Sequence, residues 1–415
     1  MASNLFTFLS KNKLSTVLLG FCLFVLPFQL KVLSYETAWG QGFLNPYTSI
    51  YFTIFDATLL AAAALFLYTK RVSFKASKTL AGLLLFLALA LLSLFFGSYT
   101  DSAYHLFLAV KLLELVLFFL LLIHEKRLTR VLLVVLAMQA IWATLQVLLQ
   151  HDLGFQILGE PVLNADAANI ARFTWGSFEL IRGYGTFPHP NVLGGFLGLG
   201  ILLTFLSTEL SIKEKKLFFA ILGMGLLVSF SRSALLALMA TILLSGLEKP
   251  YFQSQKKRVL ALSGLVLTLL LFFIMRGFNF LEDPAFLERI ESYKSAMEML
   301  KIHPFGVGFT QYTLFLNSIP GATWMPWEYQ PVHNAYLLLL TELGWLFTAV
   351  FFAGIAYLSF FPFKKNPEAI LILLILIISF FDHYWLSLEQ GRLLFVYALA
   401  FMTAGSSSRT AADLR

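Results

Sequence analysis

Several side chains in this chain could do chemistry on an anion or a sugar, and they come in clusters set between apolar runs. Arg182-Gly183-Tyr184-Gly185-Thr186-Phe187-Pro188-His189-Pro190-Asn191 puts a guanidinium, an imidazole and a carboxamide on a path held rigid by glycines and prolines. Such a turn above a helix N-terminus suits an anion or a sugar. Arg232 sits in Phe230-Ser231-Arg232-Ser233, a tight break between two apolar runs. A cation at membrane depth is costly and marks a functional site by default. The longest polar interruption, about Gly277 to Val350, carries Arg289, His303, Trp324 and Trp327 and ends on His333-Asn334. Arginine offers a planar fork of donors matched to phosphate. A His-Asn pair at the mouth of a membrane helix is the pattern of an active site roofed by a loop.

The elements that must hold these residues are apolar helices. The 415 residues are 59% hydrophobic and 13% charged, with mean hydropathy +0.79. A soluble domain of this length needs far more polar surface. A spanning helix takes about 20 apolar residues. Runs that qualify lie near 14–30, 49–68, 79–97, 104–123, 131–149, 190–207, 217–230, 233–247, 259–276, 333–356, 369–386 and 391–405. The expectation is an all-α polytopic membrane protein of about twelve spans, 1–415 forming a single transmembrane domain. Two long outer loops are expected, 150–189 and 277–332, the second roofing the site and carrying short helices. In it, Phe286, Ile290, Tyr293, Met297 and Leu300 form an apolar stripe at helical spacing, with Arg289 off the stripe. The first run resembles a signal peptide but lacks a small-residue cleavage site after it, so a retained helix is expected.

Charge sets the orientation. With the N-terminus placed inside, Lys70/Arg71/Lys75/Lys78, Lys126/Arg127/Arg130, Lys213/Lys215/Lys216, Lys249/Lys256/Lys257/Arg258 and Lys364/Lys365 all fall in cytoplasmic connections. The pI near 9.3 therefore reflects membrane topology and not nucleic-acid binding. Lys111, Arg182, Arg232, Arg289 and Arg392 are among the cations that this rule leaves over. The single cysteine, Cys22, excludes an intrachain disulfide. The chain has no GxxxxGK[ST], no GxGxxG after a strand, no HExxH and no cysteine pair for zinc, which argues against a nucleotide-driven pump and a zinc enzyme. No cofactor or metal is expected, although Asp382, Glu328 and Glu160 could meet in space.

Taken in order, Arg182-x-x-Gly185-Thr186-Phe187-x-His189-Pro190-Asn191, Ser231-Arg232-Ser233, Arg289, Pro304-Phe305-Gly306-Val307-Gly308 and His333-Asn334 with Gly344 resemble the O-antigen ligase and polymerase superfamily of bacterial inner membranes. The resemblance covers roughly 160–400. In the ligases the His-Asn signature continues, nine residues on, as Gly-x-x-Gly-Thr-x-Val. Here Gly344, Thr348 and Val350 agree, and Phe347 stands in place of the second glycine. The resemblance implies a GT-C-type bundle and an inverting, metal-independent glycosyltransferase on the extracytoplasmic face of the bacterial cytoplasmic membrane. Its donor would be an undecaprenyl-diphosphate-linked glycan, and its acceptor the lipid A core or a growing glycan.

By family motif the catalytic histidine maps to His333, the membrane arginine to Arg232, the loop arginine to Arg289 and a late acidic position to Asp382. Arg182, His189, Asn191, Asn334 and Trp327 are expected to bind substrate. The chemistry is consistent with this: a neutral imidazole takes the proton of a sugar hydroxyl, and fixed arginines stabilise a departing diphosphate. His383, beside Asp382, reads equally as functional or structural. Competing readings are a polymerase of the same superfamily, a carrier or flippase binding the diphosphate without cleaving it, and a structural envelope protein.

Overall fold

The computed structural model describes residues 11–28, 30–36, 45, 47–69, 77–97, 101–125, 128–164, 170–175, 177–246, 284–321, 324, 328–359 and 366–413. Among these the chain is mostly helical. The helices are α1 (Lys11–Val25), α2 (Ile54–Thr69), α3 (Lys78–Phe96), α4 (Ser102–Leu122), α5 (Thr129–Leu149), α6 (Pro190–Leu206), α7 (Ile212–Val228), α8 (Arg232–Gly246), α9 (Pro284–Ile302), α10 (Ala335–Ser359), α11 (Ile370–Ile378), α12 (Tyr384–Ser387) and α13 (Glu389–Asp413). Four of them, α3, α4, α5 and α10, are long and apolar enough to cross a membrane; α1, α2, α6, α8 and α11 are shorter apolar helices. Leucines exposed at their outer faces, such as Leu106 and Leu148, suit a lipid surround.

Helix α6 is the hub. It is buried along nearly its whole length and packs against α5, α7, α8 and α11. A Cβ on Gly194 would fall 2.5 Å from the Ser231 Cβ, so only glycine lets α6 approach the turn that carries Arg232. The turn before α6 is held by two glutamines a heptad apart on α5. Gln146 Oε1 accepts from the Tyr184 and Gly185 N–H groups at 3.0 and 2.8 Å, and Gln139 Oε1 accepts from Thr186 N–H at 2.8 Å. Each buried amide meets the backbone of an irregular segment that helix or sheet cannot satisfy. Upstream, Glu160 gathers Trp142 Nε1, Gln146 Nε2 and the Leu153 and Phe155 N–H groups, each at 2.8 Å. Glu160 is thus committed to this loop and does not meet Asp382.

Helix α10 differs from the single span that hydropathy suggests. Gly344 breaks it, with φ 73° and ψ 175°. The opened carbonyls of Thr341 and Glu342 accept from Val307 and Gly308 N–H at 3.0 and 2.9 Å, and Trp345 N–H donates to Pro304 O at 3.2 Å. The Pro304–Gly308 segment is therefore inserted into the break and completes the hydrogen bonding that the helix gives up. Contact is backbone to backbone: a Cβ on Gly344 would lie 2.2 Å from the Phe305 carbonyl carbon. Gly344→Ala combines that clash with a left-handed backbone and is expected to cost about 1–3 kcal/mol. A lower midpoint of thermal unfolding in detergent would register it; an unchanged midpoint would mean that the insertion contributes nothing to stability.

Two further features differ from the sequence-based expectation. Short antiparallel hairpins pair Lys31–Glu36 with Ser49–Thr53, and Arg172–Trp175 with Phe178–Ile181, so the loops are not purely helical. In α9 the buried positions are Ala296, Met299 and Leu300, while Met297 is exposed, because the helix packs on α10 by a face rotated from the expected stripe. The run expected at 259–276 lies outside the described residues, as does Trp327.

Lys111 on α4 is buried and bridges three elements. Its ammonium meets Asp56 of α2, Glu389 of α13 at 2.8 Å and Glu114 of its own helix at 3.5 Å. The cation lies over the Tyr51 ring at 5.3 Å. A charge placed here is affordable only because its partners come with it.

Candidate active site

The site forms where three helix N-termini meet. Helix α6 begins at His189, whose side chain caps it by accepting from Asn191 N–H at 3.1 Å, with Pro190 at the first helical position. Helix α8 begins at Arg232, after α7 ends at Val228. Between them Phe230 takes a left-handed φ of 48° and stacks on Phe173, with centroids 4.5 Å apart. Ser231 Oγ accepts from Ala234 N–H at 3.3 Å. Helix α10 begins after Asn334, whose Oδ1 accepts from Tyr336 and Leu337 N–H at 2.9 and 3.0 Å. Helix N-termini carry partial positive charge and unpaired N–H groups, the ordinary ingredients of an anion site.

Side chains tie these ends together. Arg182 donates through Nε to Ser229 O at 2.9 Å and through Nη2 to Asn191 Oδ1 at 2.7 Å. Asn191 Nδ2 in turn donates to Asp382 Oδ2 at 3.2 Å. The other Asp382 oxygen accepts from His383 N–H at 2.9 Å. The His333 and His383 rings lie with centroids 5.2 Å apart. Tyr293 of α9 donates to the His333 carbonyl at 3.2 Å and brings the Arg289 helix to the same place. Of the residues expected from sequence, Arg182, His189, Asn191, Arg232, Arg289, His333 and Asp382 are brought into one electrostatic neighbourhood.

Asn334 also borders it, but its carbonyl oxygen caps α10 and its amide donates to Phe380 O at 3.2 Å, so it shapes the helix start under His333. Trp324 donates to Leu316 O at 3.1 Å and packs against a small apolar cluster that includes Met299, Tyr312 and Leu316.

The titrating groups lie in the turns beyond the helix ends. Burial lowers Arg182 to about 10, and the neighbouring Arg232 and Arg289 charges add to that effect. Burial drives His189 down to about 3, helped by Arg182. His333 is lowered by burial and by Arg289, against an opposing pull from Asp382, so its ring is neutral at neutral pH. Burial raises the Asp382 carboxyl, but His383, His333, His189 and Arg289 outweigh it and hold it below its ordinary value. An unprotonated imidazole beside a carboxylate and fixed guanidinium charges can remove a proton from a hydroxyl while a polyanion leaves.

Sequence reasoning left His383 undecided and gave no role to Ser387 or Tyr47. His383 Nδ1 is 2.7 Å from Ser387 Oγ, and its ring meets Tyr47 edge-on at 5.7 Å. The available signal was an Asp-His pair inside the apolar run Phe380-Phe381-Asp382-His383-Tyr384-Trp385. Tyr47 comes from the far end of the chain and carries no motif. His333, Asp382 and His383 each offer one ligand-type atom within 4.8 Å of the others, a spacing that a cation could use. Asp382, however, is already engaged by Asn191 and the His383 N–H, with Arg182 and Arg289 in the same field.

No curated protein matches the chain. Residues 217–352, the stretch that holds Arg232, Arg289, His333 and the broken helix, match the family model described as O-antigen ligase, which supports the resemblance of the chain to the O-antigen ligase superfamily.

Proposed function

We propose that the protein transfers a glycan from undecaprenyl diphosphate to an acceptor hydroxyl, with inversion and without a metal ion, at the extracytoplasmic face of a bacterial cytoplasmic membrane. The observation that carries this reading is the convergence of Arg182, Arg289 and His333 around Asp382, from segments far apart in the chain. In the proposed reaction His333 takes the acceptor proton as the hydroxyl attacks the anomeric carbon. Arg232 and Arg289 stabilise the charge developing on the diphosphate, and Arg182 holds Asn191 toward Asp382. His189 serves the donor side through the α6 N-terminus. The acceptor is a lipid A core for a ligase. The same reading includes a GT-C-type bundle of about twelve spans over 1–415, with outer loops 150–189 and 277–332, the latter as roof with Trp327 against the sugar.

A polymerase that adds repeat units to a growing glycan is the second reading, favoured by Phe347 at the position of a ligase glycine. One experiment tests the proposal and separates the two. Purified protein in nanodiscs is given a defined undecaprenyl-diphosphate-linked oligosaccharide and an acceptor, with a divalent-ion chelator present. A single added block is expected for a ligase and a ladder for a polymerase. A strict divalent-ion requirement would overturn the arginine account, and unaltered donor would overturn the enzymatic one.

A further inference from the structure

We propose that residues 152–163 form a membrane-interface anchor, whose apolar tip enters the lipid leaflet on the active-site side and sets the level of the Arg182–Asn191 turn for a lipid-borne diphosphate. The use of that level rests on the activity proposed above; the lipid contact does not. The segment follows α5 and closes on itself. Asp152 N–H donates to Leu163 O at 3.1 Å, and Leu163 N–H donates back to Asp152 Oδ2 at 2.9 Å. A stretch of this length with its ends joined is a compact Ω-loop. Its polar groups are used on its own backbone. Asp152 Oδ1 accepts from Gly154 N–H and Gln156 Nε2 at 3.1 and 2.7 Å, and the buried Glu160 accepts from Leu153 and Phe155 N–H. Asp152 and Glu160 are the only charged side chains in the loop, and the sequence has no lysine or arginine between Arg130 and Arg172.

What the loop turns outward is apolar. Its tip is a short 3-10 turn, Gln156–Leu158, in which Ile157 is 85% exposed; Phe155 and Val162 beside it are exposed as well. An apolar tip on a loop this well bonded has a surface to meet. Helix α5 says which surface. Val134, Met138, Ile141, Leu145 and Leu148 recur every three or four residues and are exposed, a stripe along one face of a helix long and apolar enough to cross a membrane. Gln139 and Gln146 lie away from that stripe and are fully buried. The stripe ends at Leu148 and Leu149, and the loop starts three residues later, so the lipid-facing surface of α5 runs on into the tip. A tip that carries no outward charge suits the leaflet in which the end of α5 already lies.

The loop and the Arg182–Asn191 turn share their supports. Glu160 Oε1 accepts from Gln146 Nε2 at 2.8 Å, and Gln146 Oε1 accepts from the N–H groups of Tyr184 and Gly185. Gln150, between α5 and the loop, accepts from Ile181 N–H at 2.9 Å. Leu163 packs with Ile181 and Tyr184 in a small core of its own. The depth of the loop in the lipid is therefore passed to Arg182, His189 and Asn191. A diphosphate tied to a polyprenyl chain has its height fixed by the bilayer, and the side chains that meet it need to be referred to the same surface.

Cys22 is buried, so a fluorophore can be attached to Ile157→Cys alone in the full-length protein in nanodiscs. A nitroxide carried on the lipid near its headgroup is expected to quench it more strongly than a water-soluble nickel complex. Quenching mainly by nickel puts the tip in water, and quenching by neither puts it under a protein partner or a second copy; either overturns the proposal. Ile157→Asp tests the consequence. With the lipid-linked oligosaccharide used above, KM is expected to rise roughly tenfold, the weight of withdrawing one large apolar side chain from lipid, with kcat retained. With a short-chain, water-soluble diphosphate donor, KM is expected to stay at the wild-type value, because no loop hydrogen bond and no site residue has changed. An unchanged KM for the lipid-linked donor, or an equal rise for both donors, overturns the positioning role. Should Ile157→Asp fail to fold, Ile157→Ser carries the same comparison. If the wild type transfers from neither donor, the proposed activity falls, while the quenching result still decides the lipid contact.

Discussion

Replacing His333 by alanine is expected to leave the protein inserted and able to bind the lipid-linked donor, while transfer falls by a factor on the order of 10²–10⁴, the usual contribution of a positioned base. The expectation of intact structure comes from what the side chain does not do. Its Nδ1 has no partner among the described residues, and Tyr293 binds the backbone carbonyl, which alanine keeps. Asn334 caps α10, so the helix start survives the change. The effect on rate follows from the ring's protonation state. Burial and Arg289 keep it below the ordinary histidine value of 6.5, so the base form is present at neutral pH. In the wild type, kcat/KM should stay level as pH falls through 6.5 and decline only in stronger acid. Donor binding with product formation equal to wild type in His333→Ala would favour a carrier that holds the diphosphate without cleaving it.

The second large effect is on stability. Lys111→Met should destabilise the fold by roughly 3–5 kcal/mol, the cost of leaving buried charges without their partner. The substitution is close in volume and suits a helix, so packing does not explain a loss of that size. What remains is a trio of carboxylates, Asp56, Glu114 and Glu389, with one oxygen of each within 4.8 Å of the others. Thermal unfolding in detergent should show the loss. Adding Glu389→Gln should restore part of it, because one of the crowded charges is then gone. A Lys111→Met protein as stable as the wild type would show that the carboxylates are neutral without the lysine and that the cluster is no ion pair at all.

The two cases show what a sequence makes legible. His333-Asn334 and the Arg182–Asn191 turn stood out because polar residues of defined type were packed into short segments between apolar runs, and local density survives folding. The site's convergence was legible only through resemblance, since nothing in the spacing brings Arg182 to Asp382. Lys111 was visible as an unexplained cation, but its partners lie 55 and 278 positions away, and no local pattern encodes such pairing. The interruption of α10 was hidden for a different reason. Hydropathy averages over a window, and one glycine in an apolar run leaves that average unchanged, although its backbone turns left-handed. Asn334 read as a ligand because its capping role depends on where the helix begins, two positions after His333, and the apolar run alone puts that start too early.

Insertion of the Pro304–Gly308 segment into the interrupted helix limits how relatives can be recombined. The Pro304–Gly308 segment and α10 share main-chain bonds, so they form one module even though 34 positions separate Val307 from its partner Thr341. A chimera that borrows this stretch from another member without its matching helix would bring the Val307 and Gly308 N–H donors without the helix carbonyls and the glycine break that receive them. Exchange of this stretch between members is therefore expected to give a folded protein only when both halves travel together, as a cassette cut outside α9 and α10.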